Sequence, residues 1–271
     1  MFRLIRADIY RILRGKALYI TLIVLLAVVA LIVGAAQTGG AVGMQFTPEQ
    51  AEEVVSAISD VAMPGVSAAN IPEILAISME NFTFFLLPVV VIVAGAIFTH
   101  GTVKNDISWG TSRTKLYFSK LILSVGLCIL MLIFYVGSSM LVAAVIGGFG
   151  GPVPTGHWIG LLQIFSAQLV LLVALVAVGV FLAFTTKRTA AVNGAYIAFC
   201  LVPPLAITLL AAANSSLIRL MDFDMLSNVM ALANLPSMET SEMLRALGIG
   251  AFWLISSTVA GVALFRRAEI K

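Results

Sequence analysis

The sequence predicts an all-α, polytopic membrane fold with six transmembrane helices, and three observations predict it. The first is composition: 61% of the 271 residues are apolar and only 11% are charged, against about 45–50% and 25% in soluble domains. A water-soluble fold of this make-up would lack the polar residues to cover its surface. The second is segmentation into six long apolar runs, at about 17–36, 82–99, 121–146, 158–184, 190–213 and 247–265. Each is long enough to cross a hydrocarbon core of about 30 Å. The third is charge. Fourteen of the 16 Lys and Arg lie before the first run, in the second and fourth gaps, or after the last. Ten of the 13 acids lie in the remaining gaps. By the positive-inside rule both termini and segment 100–120 are cytoplasmic, and the protein is expected in the cell membrane.

Residues 1–16 carry Arg3, Arg6, Arg11, Arg14 and Lys16 beside Phe2, Ile5, Ile9, Ile12 and Leu13. Steps of three and four make this a basic amphipathic helix at the cytoplasmic membrane surface. The first apolar run is longer than the apolar region of a signal peptide, so no cleavage is expected. The outer segment 37–81 holds six acids and no Lys or Arg. Within it, Thr47-Pro48-Glu49-Gln50 and Asn70-Ile71-Pro72-Glu73 read as helix starts, giving a small extracytoplasmic cap.

The second run contains Pro88 and leads into the cytoplasmic segment 100–120. That segment reads as a short interfacial helix, a break at Gly110, and the start of the third span. The glycine- and proline-rich stretch Gly147–His157 is a tight outer turn or a short re-entrant dip. In the fourth run Gln163 and Gln168 either bond a neighbouring helix or line a path. Lys187 and Arg188 mark an inner turn. The fifth run carries Asn193, Tyr196 and the pair Pro203-Pro204. The prolines are expected to break or kink it, leaving backbone groups that must be met internally or face a cavity. These six residues are the candidate translocation path. In the outer segment 214–246, Ser237 or Thr240 is expected to cap a short helix before the last run. Ser257 and Gly261 form a small-xxx-small pair suited to close helix packing.

Several chemistries are missing. There is no G-x-x-x-x-G-K-[ST], H-E-x-x-H or G-x-S-x-G motif, and no catalytic residues are assigned. No metal site is expected: His100 and His157 lie far apart, and Cys128 and Cys200 sit inside apolar runs as small hydrophobes. The small basic patches serve topology, so nucleic acid is not an expected partner. No Asp, Glu, Lys or Arg falls at the centre of a run, which argues against ion-coupled transport.

One segment carries a family pattern. Gly101-Thr102, Lys104-Asn105, Ile107-Ser108-Trp109-Gly110, Ser112-Arg113 and Lys115 through Leu121 resemble the cytoplasmic connection of permease subunits of ABC-2 type ATP-binding cassette transporters. The chain is especially similar to the small six-span permeases of peptide, bacitracin and lantibiotic-immunity exporters. Many of these have an acidic residue just before Gly-Thr, where this chain has His100.

The resemblance implies a half-transporter that is not itself an enzyme. ATP and Mg would bind a separate cytoplasmic ABC ATPase subunit, and this chain would bind no cofactor. Gly101, Thr102, Lys104, Asn105, Ile107, Ser108, Trp109, Gly110, Ser112 and Arg113 would dock on the ATPase, braced by residues 1–16. A second permease subunit, identical or related, and the lipid bilayer would be the other partners. Export of a peptide, antibiotic or other amphipathic compound follows from the family and from the long apolar walls. The alternative is a non-transporting multi-span protein of membrane interaction or assembly.

Overall fold

A computed structural model describes residues 2–37, 79–99, 101, 103, 107–108, 110–151, 155–233 and 238–268. The two expected helix starts near Thr47 and Asn70, and His100, Thr102, Lys104, Asn105 and Trp109, fall outside these residues.

The described residues are helical, and six of their helices are long and apolar enough to cross a membrane. The order is α1 (Phe2–Arg14), α2 (Lys16–Gln37), α3 (Met79–Val90), a π-helical turn (Val91–Gly95), α4 (Ala96–Thr99) and α5 (Arg113–Gly147). Then follow α6 (Thr155–Thr186), α7 (Thr189–Ala213), a 3-10 helix (Ser215–Phe223), α8 (Met225–Ala231) and α9 (Thr240–Arg267). Lipid offers no hydrogen bonds to the backbone, so an apolar run of this length has no alternative to a helix.

The helix α6 is the hub. Of its best apolar window 61% is buried, against 11% for α7 and 17% for α9. It packs most extensively on α9, and also on α3, α5 and α7, while α2 rests mainly on α5. The outward faces of α2, α5, α7 and α9 carry large apolar side chains, such as Leu31, Ile133, Leu209 and Phe252. A wall of this kind is suited to lipid and not to water.

Two helices begin about two turns earlier than their apolar runs. The third run was expected from 121, but α5 starts at Arg113, where Ser112 Oγ accepts the Lys115 N–H at 3.3 Å. No Gly or Pro stands between that cap and the apolar run. Its 35 residues are about 52 Å long at 1.5 Å per residue, so α5 must tilt or project from the hydrocarbon layer. Likewise α9 starts at Thr240, with Glu239 at the cap, so the residues from Thr240 run into the last span as one helix. Neither Ser237, which lies outside the described residues, nor Thr240, the first helical residue, is the observed cap. The charged residues Glu242 and Arg245 sit in the first turns, and Arg245 pairs with Asp222 of the 3-10 helix at 3.0 Å.

Of the break or kink expected at Pro203-Pro204, the break is absent: α7 runs as one helix through both. The lost donors are those that would have served the carbonyls of Phe199 and Cys200 one turn earlier. In the second run Pro88 lies inside α3, and the π-helical turn follows it. The turn ends at Gly95, where a Cβ would lie 3.5 Å from Thr189 Cγ2 at the start of α7.

Candidate functional site

The connection between α4 and α5 is bounded by two left-handed glycines. Gly101 has φ +62° and Gly110 has φ +82°. The Gly101 N–H bonds Phe98 O at 3.3 Å, and the Gly110 N–H bonds Ile107 O at 3.0 Å. Such φ values suit glycine because it has no Cβ to clash. Between them Val103, Ile107 and Ser108 are helical. Val103 is buried and Ile107 packs on the core, whereas Ser108 is exposed. Val103 and Ile107 thus hold the segment against the bundle. A turn at Gly110 and a new helix after it match the organisation expected from the sequence.

The start of α5 is tied to both chain ends. Arg113 Nη1 donates toward the carbonyls of Ala268 (2.7 Å), Arg266 (2.8 Å) and Phe265 (3.3 Å). These lie at the C-terminus of α9, where backbone acceptors have no helical donors and a cation is favoured. Two turns on, Lys120 Nζ pairs with Asp8 of α1 at 2.5 Å. The Lys120 side chain is 2% exposed and that of Asp8 10%. Asp8 also pairs with Arg11 at 3.1 Å. Lys120 was expected at the edge of a cytoplasmic loop. It is instead inside a helix, desolvated, and held by a charge from another element. The sequence does contain a signal for this contact. Asp8 falls on the same helical face as Ile5 and Ile12, and a carboxylate on an apolar face calls for a buried partner.

An aromatic cluster fills the space behind these ties. Phe184 of α6 meets Tyr117, Phe265 and Phe98 at ring-centroid distances of 4.9, 4.7 and 5.3 Å. The small pair Ser257 and Gly261 receives the Tyr117 ring: Tyr117 Oη bonds Ser257 O at 3.5 Å, and a Cβ at Gly261 would come within 2.7 Å of ring carbons. The close packing expected of that pair is thus made within the chain. Beside the cluster, Thr99 and Thr189 share a hydroxyl hydrogen bond of 2.9 Å. At this basic end of the bundle, α1, α4, α5, α6, α7 and α9 therefore meet.

The six candidate path residues do not converge. Gln163 and Asn193 are exposed on the outside of α6 and α7. Gln168 is fully buried and its Nε2 donates to Val229 O of α8 at 3.0 Å. It fixes α8 to the hub. Tyr196 is also buried and donates to Thr83 O of α3 at 3.1 Å. Pro203 lines a cavity of about 310 Å³, with Phe199, Cys200, Phe223, Asp224 and Trp253 among its walls. A second cavity of about 320 Å³ lies at the basic end, between α1, α2, the π-helical turn and Thr189. Cys128 and Cys200 are free, buried thiols. Among the described residues, no three His, Cys, Asp or Glu side chains are placed to hold a metal ion.

No protein-family model matches the chain, and no curated protein is detectably similar to it.

Proposed function

We propose that this chain is the membrane-spanning permease subunit of an ATP-binding cassette transporter of ABC-2 type. It exports a peptide, antibiotic or other amphipathic compound, and a separate cytoplasmic subunit binds ATP and Mg and hydrolyses the ATP. A second permease subunit completes the transporter. The observation that carries this reading is the wiring at the basic end. A partner pressing on segment 101–112 acts on the first turn of α5, and α5 is bonded there to α9 through Arg113 and to α1 through Lys120. A rigid connection of this kind converts a local displacement into a helix movement between two packed arrangements. The pattern of Gly101, Ile107-Ser108, Gly110 and Ser112-Arg113, already likened to ABC-2 connections, supports an ATPase as that partner.

Purification through a tag on this chain, in mild detergent from native membranes, tests the reading. A stoichiometric ATPase subunit is the expected companion. A chain that emerges with other partners and no ATPase would favour the assembly-protein alternative.

The orientation has its own test. In a background lacking Cys128 and Cys200, a cysteine replacing exposed Arg219 is expected to react with an impermeant thiol reagent in intact cells. A cysteine replacing Ser108 is expected to react only after the membrane is opened. The reverse pattern would invert the topology.

A further inference from the structure

We infer that the cavity of about 310 Å³ between α6, α7, α9 and the outer segment binds the protonated amine of a hydrophobic ligand. Its volume is at the lower end of the range for small-molecule sites, about 300–1,000 Å³. It therefore takes a compact aromatic or alicyclic amine, or the amine-bearing end of a larger molecule.

The walls define this chemistry. Phe199, Phe223 and Trp253 supply aromatic surface, and the Phe199 and Trp253 rings meet edge to face at 4.9 Å. Asp224 supplies a carboxylate that is only 7% exposed. Its Oδ2 accepts the Ser227 N–H at 2.8 Å and the Ser227 hydroxyl at 2.9 Å. Among the described residues its Oδ1 accepts no hydrogen bond, and no Lys or Arg lines the cavity. Arg245 is already paired with Asp222 at 3.0 Å.

The backbone adds acceptors. Phe199 and Cys200 are both wall residues, and their carbonyls are the two whose helical donors Pro203 and Pro204 remove. The cavity thus offers a carboxylate and π faces, with no cationic side chain among its walls. A protonated amine satisfies both, through charge-assisted hydrogen bonds and attraction to the rings. A carboxylate would be repelled by Asp224, and a neutral hydrocarbon would leave the acceptors dry. As a statement about cargo this inference rests on the permease reading. As a statement about binding it rests on this chain alone.

The test uses the purified full chain without any ATPase, so its outcome is independent of partner recovery. Trp109→Phe and Trp158→Phe leave Trp253 as the sole tryptophan. Its fluorescence is titrated with 4-phenylbutylamine and with the neutral 4-phenylbutanol. The amine is expected to give a saturable change, with the alcohol about tenfold weaker or more, the scale of one hydrogen bond to a charged group. Asp224→Asn preserves a good helix N-cap and is expected to weaken the amine about tenfold while leaving the alcohol unchanged. Pro203→Ala with Pro204→Ala, which restores the two donors, is expected to narrow the preference without altering charge. This second variant decides the matter if the Asn variant does not fold. Equal midpoints for amine and alcohol, no saturable signal, or an amine preference that survives in folded variants would overturn the proposal.

Discussion

Asp8→Ala is expected to produce the largest loss of stability of any single change at the basic end. It removes the Asp8 carboxylate from beside the Lys120 ammonium, which is 2% exposed. Removing one member of a buried pair costs about 3–5 kcal/mol, because the other keeps its desolvation cost and loses that attraction. The variant is expected to unfold at markedly lower temperature in detergent, with α1 becoming accessible to protease. The buried thiols Cys128 and Cys200 provide the readout, since a thiol-reactive dye reacts with them only as the bundle opens. Combining Asp8→Ala with Lys120→Met is expected to recover most of the loss, because replacing both charges by apolar groups is often neutral. A single variant with wild-type stability would show that the pair does not hold α1 to α5.

Gly261→Leu is expected to rank next. The Tyr117 ring occupies the space where a Cβ would stand, and it is fully buried. Phe184 and Phe118 pack against the ring, so it has little room to retreat. Overpacking a filled core costs about 1–3 kcal/mol, and here it would separate α9 from α5 near the Arg113 tie. Lower thermal stability is expected, with partial recovery when Tyr117→Ala is added to make room. If Gly261→Leu alone were as stable as wild type, α5 and α9 would not be packed as described.

The six membrane-length helices were legible because each is an uninterrupted apolar run, and lipid allows such a run only one regular structure. Their ends were less legible. A hydropathy reading stops at the first charges, so it placed the third span at 121 and the sixth at 247. In the structure Lys120 is neutralised by Asp8, and Arg245 by Asp222, so the helices continue past them. The pairing partners are 112 and 23 residues away in sequence, beyond any local pattern.

The pair Ser257 and Gly261 announced close packing, but not that its occupant would be a tyrosine ring. Gln168 could be read as a hydrogen-bonding residue. Its acceptor, Val229 O, lies in the outer segment and not in a neighbouring span. The two prolines in α7 announced missing donors, and the structure expresses this as a cavity beside an unbroken helix. Gly110 was the most legible local feature, because a break in a polar stretch followed by Ser and Arg is a local signal in both turn and cap chemistry.

Segment 101–113 is the proposed seat of the ATPase. That role is tested most directly by measuring ATP hydrolysis and partner content in material purified through this chain, for the wild type and for Trp109→Asp at matched amounts. A stoichiometric, hydrolysing ATPase is expected with the wild type, and its loss is expected from the variant, with the thermal stability of the chain unchanged. Absence of an ATPase from the wild type, or undiminished retention on the variant, would contradict it.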